Sequence, residues 1–215
     1  MNQAPSNWQL KFATPVCLAI WVLIYWNWLN APADNSIPPS GRLVLDLSWQ
    51  MQMPVVAAVL THRWSLRGLD GFVDHGRPSL HSLAAFAPWL VLSQIFMGAL
   101  LHQGIWGALP HVLGALITGG FLLYYTTGVL TPAPQGHPAR LLALCLLWLA
   151  LLQLVLGIAA YLVKFSSGVT STLIFSKLHF ITGALTLAAT FMLSIILRRS
   201  VRFQEVPGLP STRTV

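Results

Sequence analysis

The chain has 215 residues, of which 55% are hydrophobic and only 8% are charged. Soluble domains carry about 25% charged residues and disordered chains are poor in apolar residues, so this composition excludes both classes and indicates an integral membrane protein. The net charge is +7, but the basic residues lie mostly between apolar runs, where membrane topology explains them better than nucleic-acid binding does.

Six apolar runs of membrane-spanning length follow one another along the chain. A helix needs about 20 mostly apolar residues to cross a bilayer. Five runs meet that length: 13–30, 83–102, 111–130, 141–163 and 178–197. A sixth run, 43–62, is interrupted by Asp46, Gln50, Gln52 and Pro54. We interpret it as a span, with a helix on the membrane surface as the alternative. The predicted fold class is an all-α integral membrane protein with six transmembrane helices.

The first run could also be read as a cleaved signal peptide, because residues 31–33 (Ala-Pro-Ala) resemble a weak cleavage site. The run contains Trp21, Trp26 and Trp28. Tryptophans at one end of an apolar run are typical of the aromatic belt of a membrane anchor. We therefore favour a retained helix.

The basic residues are distributed unequally between the two sides that six spans define. Nine lysines and arginines fall on the side of both termini, and three fall on the other side: Arg42, Lys164 and Lys177. The positive-inside rule then places both termini in the cytoplasm and the chain in the inner (cytoplasmic) membrane as a multi-pass protein.

Three parts follow from these runs. Residues 1–82 hold two N-terminal transmembrane helices and an inner loop, and residues 83–200 hold four helices that we expect to form a bundle. Residues 201–215 are polar with two prolines and are predicted to be a disordered cytoplasmic tail. No part is long enough for a separate soluble domain, so any chemistry must lie in or at the lipid bilayer.

The last four spans contain a repeated helical hairpin. Each hairpin has a glutamine and a glycine four residues apart in its first span and a histidine that opens its second span: Gln94, Gly98 and His111, then Gln153, Gly157 and His179. A duplicated hairpin packs naturally as a four-helix bundle, and the cores of such bundles hold cofactors.

The two histidines open spans that both run from the outer face inward, so we expect both imidazoles at one depth near that face. Neutral imidazole is a nitrogen ligand of haem iron, and two rings at one level can take both axial positions. The sequence therefore predicts one haem b with two histidine ligands, His111 and His179. The alternative is a solvated histidine at each interface.

Small and polar residues beside the histidines favour the same site. Gln94, Gly98 and His102 are spaced by four and share one helix face. Gly98 and Gly157 would let a flat macrocycle approach the backbone, although ordinary small-residue helix packing is the alternative for both. His102 is a candidate partner of a haem propionate, or else a solvated interface residue.

The haem propionates need basic partners near the outer face. Lys177, two residues before His179, is the first candidate, followed by Lys164 and Arg42; the alternative for all three is a charged end that reaches interfacial water. The remaining histidines fall on the inner side without a matched pattern, and we interpret them as loop or interface residues: His62, His75, His81 and His137.

These motifs resemble one half of the haem A synthase family of bacteria and mitochondria, over about 83–197. In that family two four-helix halves are related by pseudo-symmetry, and in each half the second and fourth helices open with a haem-binding histidine. Gln94-x3-Gly98 resembles the opening motif of a half, and His111 and His179 match its paired histidines. The resemblance implies a four-helix haem-binding bundle, here preceded by two extra N-terminal helices.

The departures from the family concern its catalytic half. Ala108 stands where that half has a glutamate one turn before the first histidine. The loop 103–110 is too short for the family's cysteine pair, and a second four-helix half is missing. No acidic residue lies from 75 to 204. A mechanism that uses a buried carboxylate is therefore expected to have no candidate in this chain.

Three functions are compatible with the sequence. The first is a haem b-binding membrane protein without catalytic activity of its own, which transfers electrons or handles haem for a respiratory chain or terminal oxidase. The second is an enzyme, a half-size haem A synthase (an oxidoreductase) working as a homodimer. The third is a haem-free structural or assembly subunit of a respiratory complex. The expected partners are the lipid bilayer and respiratory-chain or oxidase proteins, and no nucleic acid.

Overall fold

The computed structural model describes residues 19–24, 26, 38–64, 71–166 and 169–203. Helix α1 covers 19–24, and α2 runs over Pro39–Trp64. Four further helices follow: α3 (Leu80–His102), α4 (Ala108–Leu130), α5 (Pro138–Ser166) and α6 (Val169–Ser200). Two three-residue strands, β1 (Phe72–Asp74) and β2 (Val201–Phe203), complete the described elements.

Within the described ranges, four helices are long and apolar enough to cross a membrane: Leu80–His102, Ala108–Leu130, Pro138–Val163 and Ile174–Ser200. They correspond to the last four predicted spans. The prediction of a mostly helical protein is confirmed, and these four helices have the length and apolar composition that a membrane span needs. The first predicted span, 13–30, lies largely outside the described residues. Helix α2 is 26 residues long but is not one of the four, because its polar residues lower its hydropathy.

Helices α3 to α6 form a four-helix arrangement in which α3 and α5 each pack against both α4 and α6. Helices α4 and α6 therefore lie diagonally opposite each other. Helix α6 also packs along α2, and this contact uses Ala184 and Ala188 against Met53 and Ala57. Helices α4 and α5 instead leave large apolar side chains exposed, among them Leu116, Ile117, Trp148 and Val155. Such faces are compatible with contact with lipid.

The two ends of the bundle differ. At the end where α4 and α6 begin, which we call the His111 end, α3 and α4 are joined by only 103–107. At the opposite end, the Arg140 end, the guanidinium of Arg140 donates hydrogen bonds to the carbonyls of Leu130 (2.5 Å) and Ala133 (3.2 Å). The first bond satisfies the carbonyl of the last residue of α4, which has no helical partner, and the second holds the turn that follows the helix.

A short parallel sheet closes the Arg140 end. Phe72 pairs with Val201, and Asp74 pairs with Phe203. The carboxylate of Asp74 accepts hydrogen bonds from the backbone N–H of Gly76 (2.8 Å) and of Leu80 (2.5 Å), the first residue of α3. Residues 71–80 are thus held both to the end of α6 and to the start of α3.

Two boundaries differ from the sequence prediction. Helix α6 begins at Val169, so His179 lies ten residues inside its helix rather than opening it. The segment 169–178 contains no proline or glycine, so nothing stops the helix from extending beyond the apolar run. Residues 201–203, which the sequence assigns to a disordered tail, form β2; residues 204–215 lie outside the described ranges.

Candidate functional site

His111 and His179 face each other across the diagonal of the bundle. Their ring centroids are 6.1 Å apart and the ring planes are at 87°. His111 lies in the first turn of α4, which begins after Gly107, and both rings are half-buried. The structure therefore brings the two predicted ligands together at one level of the bundle.

Each histidine ring packs against the glycine of its own hairpin. A Cβ atom on Gly98 would lie 3.0 Å from Cε1 of His111, and one on Gly157 would lie 3.2 Å from Cε1 of His179. Both distances are shorter than ordinary carbon–carbon contacts of about 3.5–4.0 Å. The two glycines thus provide the space that the imidazoles occupy, whereas the sequence prediction assigned that space to a macrocycle.

The two matched glutamines bind the backbone at the histidines. The amide nitrogen of Gln94 donates to the carbonyl of His111 at 2.9 Å, and that of Gln153 donates to the carbonyl of His179 at 3.0 Å. A second pair of glycines makes room for them. A Cβ on Gly183 would lie 2.8 Å from Nε2 of Gln153, and one on Gly114 would overlap Oε1 of Gln94. Gln153 was not among the predicted site residues, although its match to Gln94 in the repeat was the signal for it.

Three buried polar atoms at this site have no hydrogen-bond partner among the described residues: Oε1 of Gln94, Oε1 of Gln153 and Nδ1 of His179. Buried polar groups in folded proteins are nearly always hydrogen-bonded, because an unpaired one costs about 1–3 kcal/mol. Their concentration around one pair of histidines is a reason to consider a bound group, or a rearranged set of hydrogen bonds, at this position.

The histidine pair fits the axial ligand set of a haem. An imidazole nitrogen binds a transition metal at about 2 Å, so two rings on opposite sides of one metal have their centres about 6 Å apart. Within the described part of the chain, no group of three or more histidine, cysteine or acidic side chains could hold a metal ion. A bare metal ion usually needs four or more ligands, whereas a porphyrin supplies four itself and needs only axial protein ligands.

A second polar cluster lies at the same end and includes a residue from outside the bundle. Asp46 of α2 is 7% exposed. Its Oδ2 accepts a hydrogen bond from the amide of Gln103 at 2.7 Å and lies 3.5 Å from Nδ1 of His102. The ring of His102 packs edge-on against Phe180, with centroids 4.8 Å apart. Phe180 directly follows His179 in the sequence.

This cluster corrects the expectation that the chain offers no buried carboxylate. The sequence has no acidic residue from 75 to 204. The carboxylate comes instead from α2, which precedes that segment. In the sequence, Asp46 only weakened the prediction of a membrane span. The contact with Gln103, 57 residues away, gives this residue a role that the local pattern does not reveal.

The predicted basic partners lie around the same end. The ammonium of Lys177 is 5.9 Å from the centre of the Trp26 ring, within the range of a cation–π interaction. Arg42 is in the first turn of α2 and is half-buried. The side chain of Lys164 lies outside the described residues. The assignment of these residues to propionates stays a prediction.

The other histidines whose side chains the structure describes do not join the site. His137 is buried at the Arg140 end, where its Nδ1 accepts from the backbone N–H of Ala139 at 3.1 Å and its ring packs edge-on against Phe72. His75 is exposed next to β1, and His81 is half-buried in the first turn of α3. The side chain of His62 lies outside the described residues.

Comparisons of this chain with models of known protein families, with curated proteins and with solved structures found no match.

Proposed function

We propose that this protein binds one haem b between His111 and His179 and serves electron transfer or haem handling in a respiratory chain or terminal oxidase. One observation carries the proposal: two half-buried imidazoles 6.1 Å apart on diagonal helices, each resting on a matched glycine. A haem supplies one-electron redox chemistry when it is bound. Two protein ligands would leave its iron without an open position, which favours electron transfer over reaction with a substrate.

The residues of the chain would hold and orient the group. The glycines fix where each imidazole lies, and Gln94 and Gln153 tie the helix backbone at both histidines to the neighbouring helices. Lys177, Arg42 and His102 would be the polar and basic groups nearest to the propionates. The position of both rings between helices would limit the access of water to the ligand bonds.

The experiment that tests this proposal is the reduced-minus-oxidised absorption spectrum of the protein purified in detergent after expression with sufficient haem supply. We expect the α and β bands of a low-spin b-type haem, with one haem per chain by pyridine haemochrome assay. Purified, folded protein that cannot be loaded with haem would contradict the proposal and favour the haem-free assembly subunit.

We further propose six membrane crossings with both termini in the cytoplasm. Strands β1 and β2 are hydrogen-bonded, so they lie on one side of the membrane, and an even number of crossings must separate them. Crossing by all four helices α3 to α6 satisfies this condition. The excess of basic residues on the Arg140 side favours the cytoplasm for that side.

Cysteine labelling tests this topology. In a variant without Cys17 and Cys145, Ile105→Cys and Gln135→Cys place thiols in exposed positions of the α3–α4 and α4–α5 connections. A membrane-impermeant maleimide should label Cys at 105 in cells whose outer membrane is opened, and Cys at 135 only after the inner membrane is also permeabilised. Equal labelling of both positions before that step would contradict the topology.

The buried carboxylate of Asp46 favours one second candidate, a half-size haem A synthase. In the sequence, this enzyme hypothesis had no acidic residue close to His111 or His179 to support it. Asp46 now offers one at the His111 end, bonded to Gln103 and close to His102. It does not replace Ala108 in position, because it comes from α2 and not from the turn before His111.

Haem extraction from cells separates these two functions. Because Ala108 lacks a carboxyl group at the family's position, we expect a deletion strain to keep its normal haem A content by chromatography of acid–acetone extracts. Loss of haem A with accumulation of haem B or haem O, restored by the wild-type gene but not by Asp46→Asn, would establish the enzyme instead.

A further inference from the structure

The two glutamines next to the histidines have a role beyond holding the helix backbone. We propose that Oε1 of Gln94 and Oε1 of Gln153 accept hydrogen bonds from Nδ1–H of His111 and His179 when haem is bound. The glutamines would then be positioning residues that fix the tautomer of both axial imidazoles and set the reduction potential. This inference rests on the proposed haem site.

In the structure, the amide groups of Gln94 and Gln153 direct Nε2, and not Oε1, toward the histidine backbone. Nε2 of Gln94 lies 3.1 Å from Nδ1 of His111. An amide nitrogen only donates, so Nδ1 accepts here, and the proton of the neutral ring lies on Nε2. A ring that binds a metal through Nε2 carries its proton on Nδ1, where it donates to a carbonyl or carboxylate. The hydrogen bond in the structure therefore stabilises the tautomer that cannot bind a metal through Nε2.

A half-turn of the amide group reverses this preference. Rotation about the last side-chain bond of Gln94 exchanges Nε2 and Oε1, and Oε1 is the buried oxygen that now has no partner. The oxygen then lies where Nε2 was, 3.1 Å from Nδ1 and 2.9 Å from the carbonyl oxygen of His111. It can accept from Nδ1–H once the amide has moved away from that carbonyl, because two oxygen acceptors repel each other. The carbonyl of His111 loses one donor, but it keeps the hydrogen bond that a helical carbonyl accepts from the residue four positions later.

The second hairpin offers the same donor and acceptor groups in a different arrangement. Nδ1 of His179 and Oε1 of Gln153 are both buried without a partner, while Nε2 of Gln153 donates only to the backbone at 3.0 Å. Rotation of the Gln153 amide would bring Oε1 to the present position of Nε2, which makes no hydrogen bond to Nδ1 of His179. The imidazole of His179 must therefore also move toward Gln153 when haem is bound. The bond to the histidine carbonyl and the packing of the ring on a glycine occur in both hairpins, whereas the 3.1 Å contact between amide and ring is present only between Gln94 and His111.

Such a bond changes the chemistry of the iron and not only its position. An acceptor on Nδ1–H increases the basicity of the imidazole ligand. A more basic ligand stabilises the ferric form more than the ferrous form and lowers the reduction potential. A carboxylate at the position of the glutamine amide is a stronger hydrogen-bond acceptor than the amide oxygen. An apolar side chain there accepts no hydrogen bond.

The test compares Gln153→Glu and Gln153→Leu in the haem-loaded protein by redox titration at alkaline pH, where an ordinary carboxyl group is ionised. We expect Glu to lower and Leu to raise the reduction potential relative to wild type, with two axial ligands kept in both. The ferric EPR g values, which respond to charge on the axial imidazole, should move in opposite directions. Leu should also weaken haem binding by about 10–100-fold. Gln94→Glu and Gln94→Leu repeat the comparison at His111.

Thr182→Val is the matched control. The hydroxyl of Thr182 shares its proton between the carbonyl of Leu178, at 2.8 Å, and the carbonyl of His179 that Gln153 contacts, at 3.2 Å. If Gln153 acted only through its hydrogen bond to the carbonyl of His179, Thr182→Val would change the reduction potential in the same way as Gln153→Leu. We expect it to leave the potential unchanged. Equal shifts in Thr182→Val and Gln153→Leu, or shifts of one sign in Glu and Leu, would overturn the inference while haem remains bound. A wild-type protein that cannot be loaded with haem would overturn the proposed function and this inference with it.

Discussion

If His111 and His179 hold the proposed haem, replacing either with alanine would remove one of its two axial bonds, and we expect each variant to lose the low-spin spectrum. The remaining imidazole alone leaves one axial position of the iron open, which gives high-spin haem that is held weakly. The loss of haem affinity should exceed about tenfold, because even a residue that only supports a metal ligand costs about 10–100-fold. The measurement is the reduced-minus-oxidised spectrum of each purified variant, normalised to protein.

Two other histidines serve as controls for this result. His75 is exposed at the Arg140 end, so His75→Ala should keep the wild-type spectrum. His102 is close to Asp46 and packs on Phe180, so His102→Ala should keep two axial ligands and change at most the potential. If His111→Ala and His179→Ala both retain the wild-type low-spin spectrum, the histidine pair is not the haem site.

Gly98→Val should be the next most damaging change, for a steric reason. The first added carbon would lie 3.0 Å from Cε1 of His111, and the two methyl groups would need more space again. Overpacking of this kind costs about 1–3 kcal/mol. Since the imidazole is the group that must move, we expect about a tenfold or greater loss of haem affinity and a disturbed low-spin spectrum. Gly157→Val should have the same effect through His179.

Gly119→Val is the matched control for these glycines. Gly119 lies in α4 eight residues after His111, and a Cβ atom there would meet nothing within 4 Å. The variant adds the same side chain to a membrane helix without touching the site. We expect normal expression and a normal spectrum. A spectrum of Gly98→Val equal to that of Gly119→Val would show that His111 does not depend on the glycine for its position.

The four apolar helices were predictable because length and hydropathy alone define a membrane-spanning segment. The pairing of His111 with His179 was also predictable, since matched motifs in two hairpins place equivalent residues at equivalent depths. The start of α6 was not predictable, because a hydropathy pattern records where a helix is apolar and not where it ends. The segment 169–178 is too polar to count as part of the apolar run, and it still forms helix.

Other features depend on contacts between distant residues. In the sequence, Asp46 only makes α2 less apolar. It becomes a hydrogen-bond partner of Gln103 because α2 packs against the bundle. Strands β1 and β2 are three residues long, and Phe72 and Val201 pair although all four helices α3 to α6 lie between them in the sequence. Such a pair has no local signal. The orientation of Gln94 and Gln153 likewise depends on the room that Gly114 and Gly183 leave on the adjacent helices.

The β1–β2 pair affects which rearrangements of the gene the four-helix unit could tolerate. Because β1 precedes α3 and β2 follows α6, the two ends of the four-helix unit meet at one place. A unit whose ends meet tolerates circular permutation and insertion into another chain, since a short linker can join its old ends. A new start between α3 and α4, at 103–107, would leave all four helices intact. The same closeness would let two copies be fused in tandem without disturbing either interior.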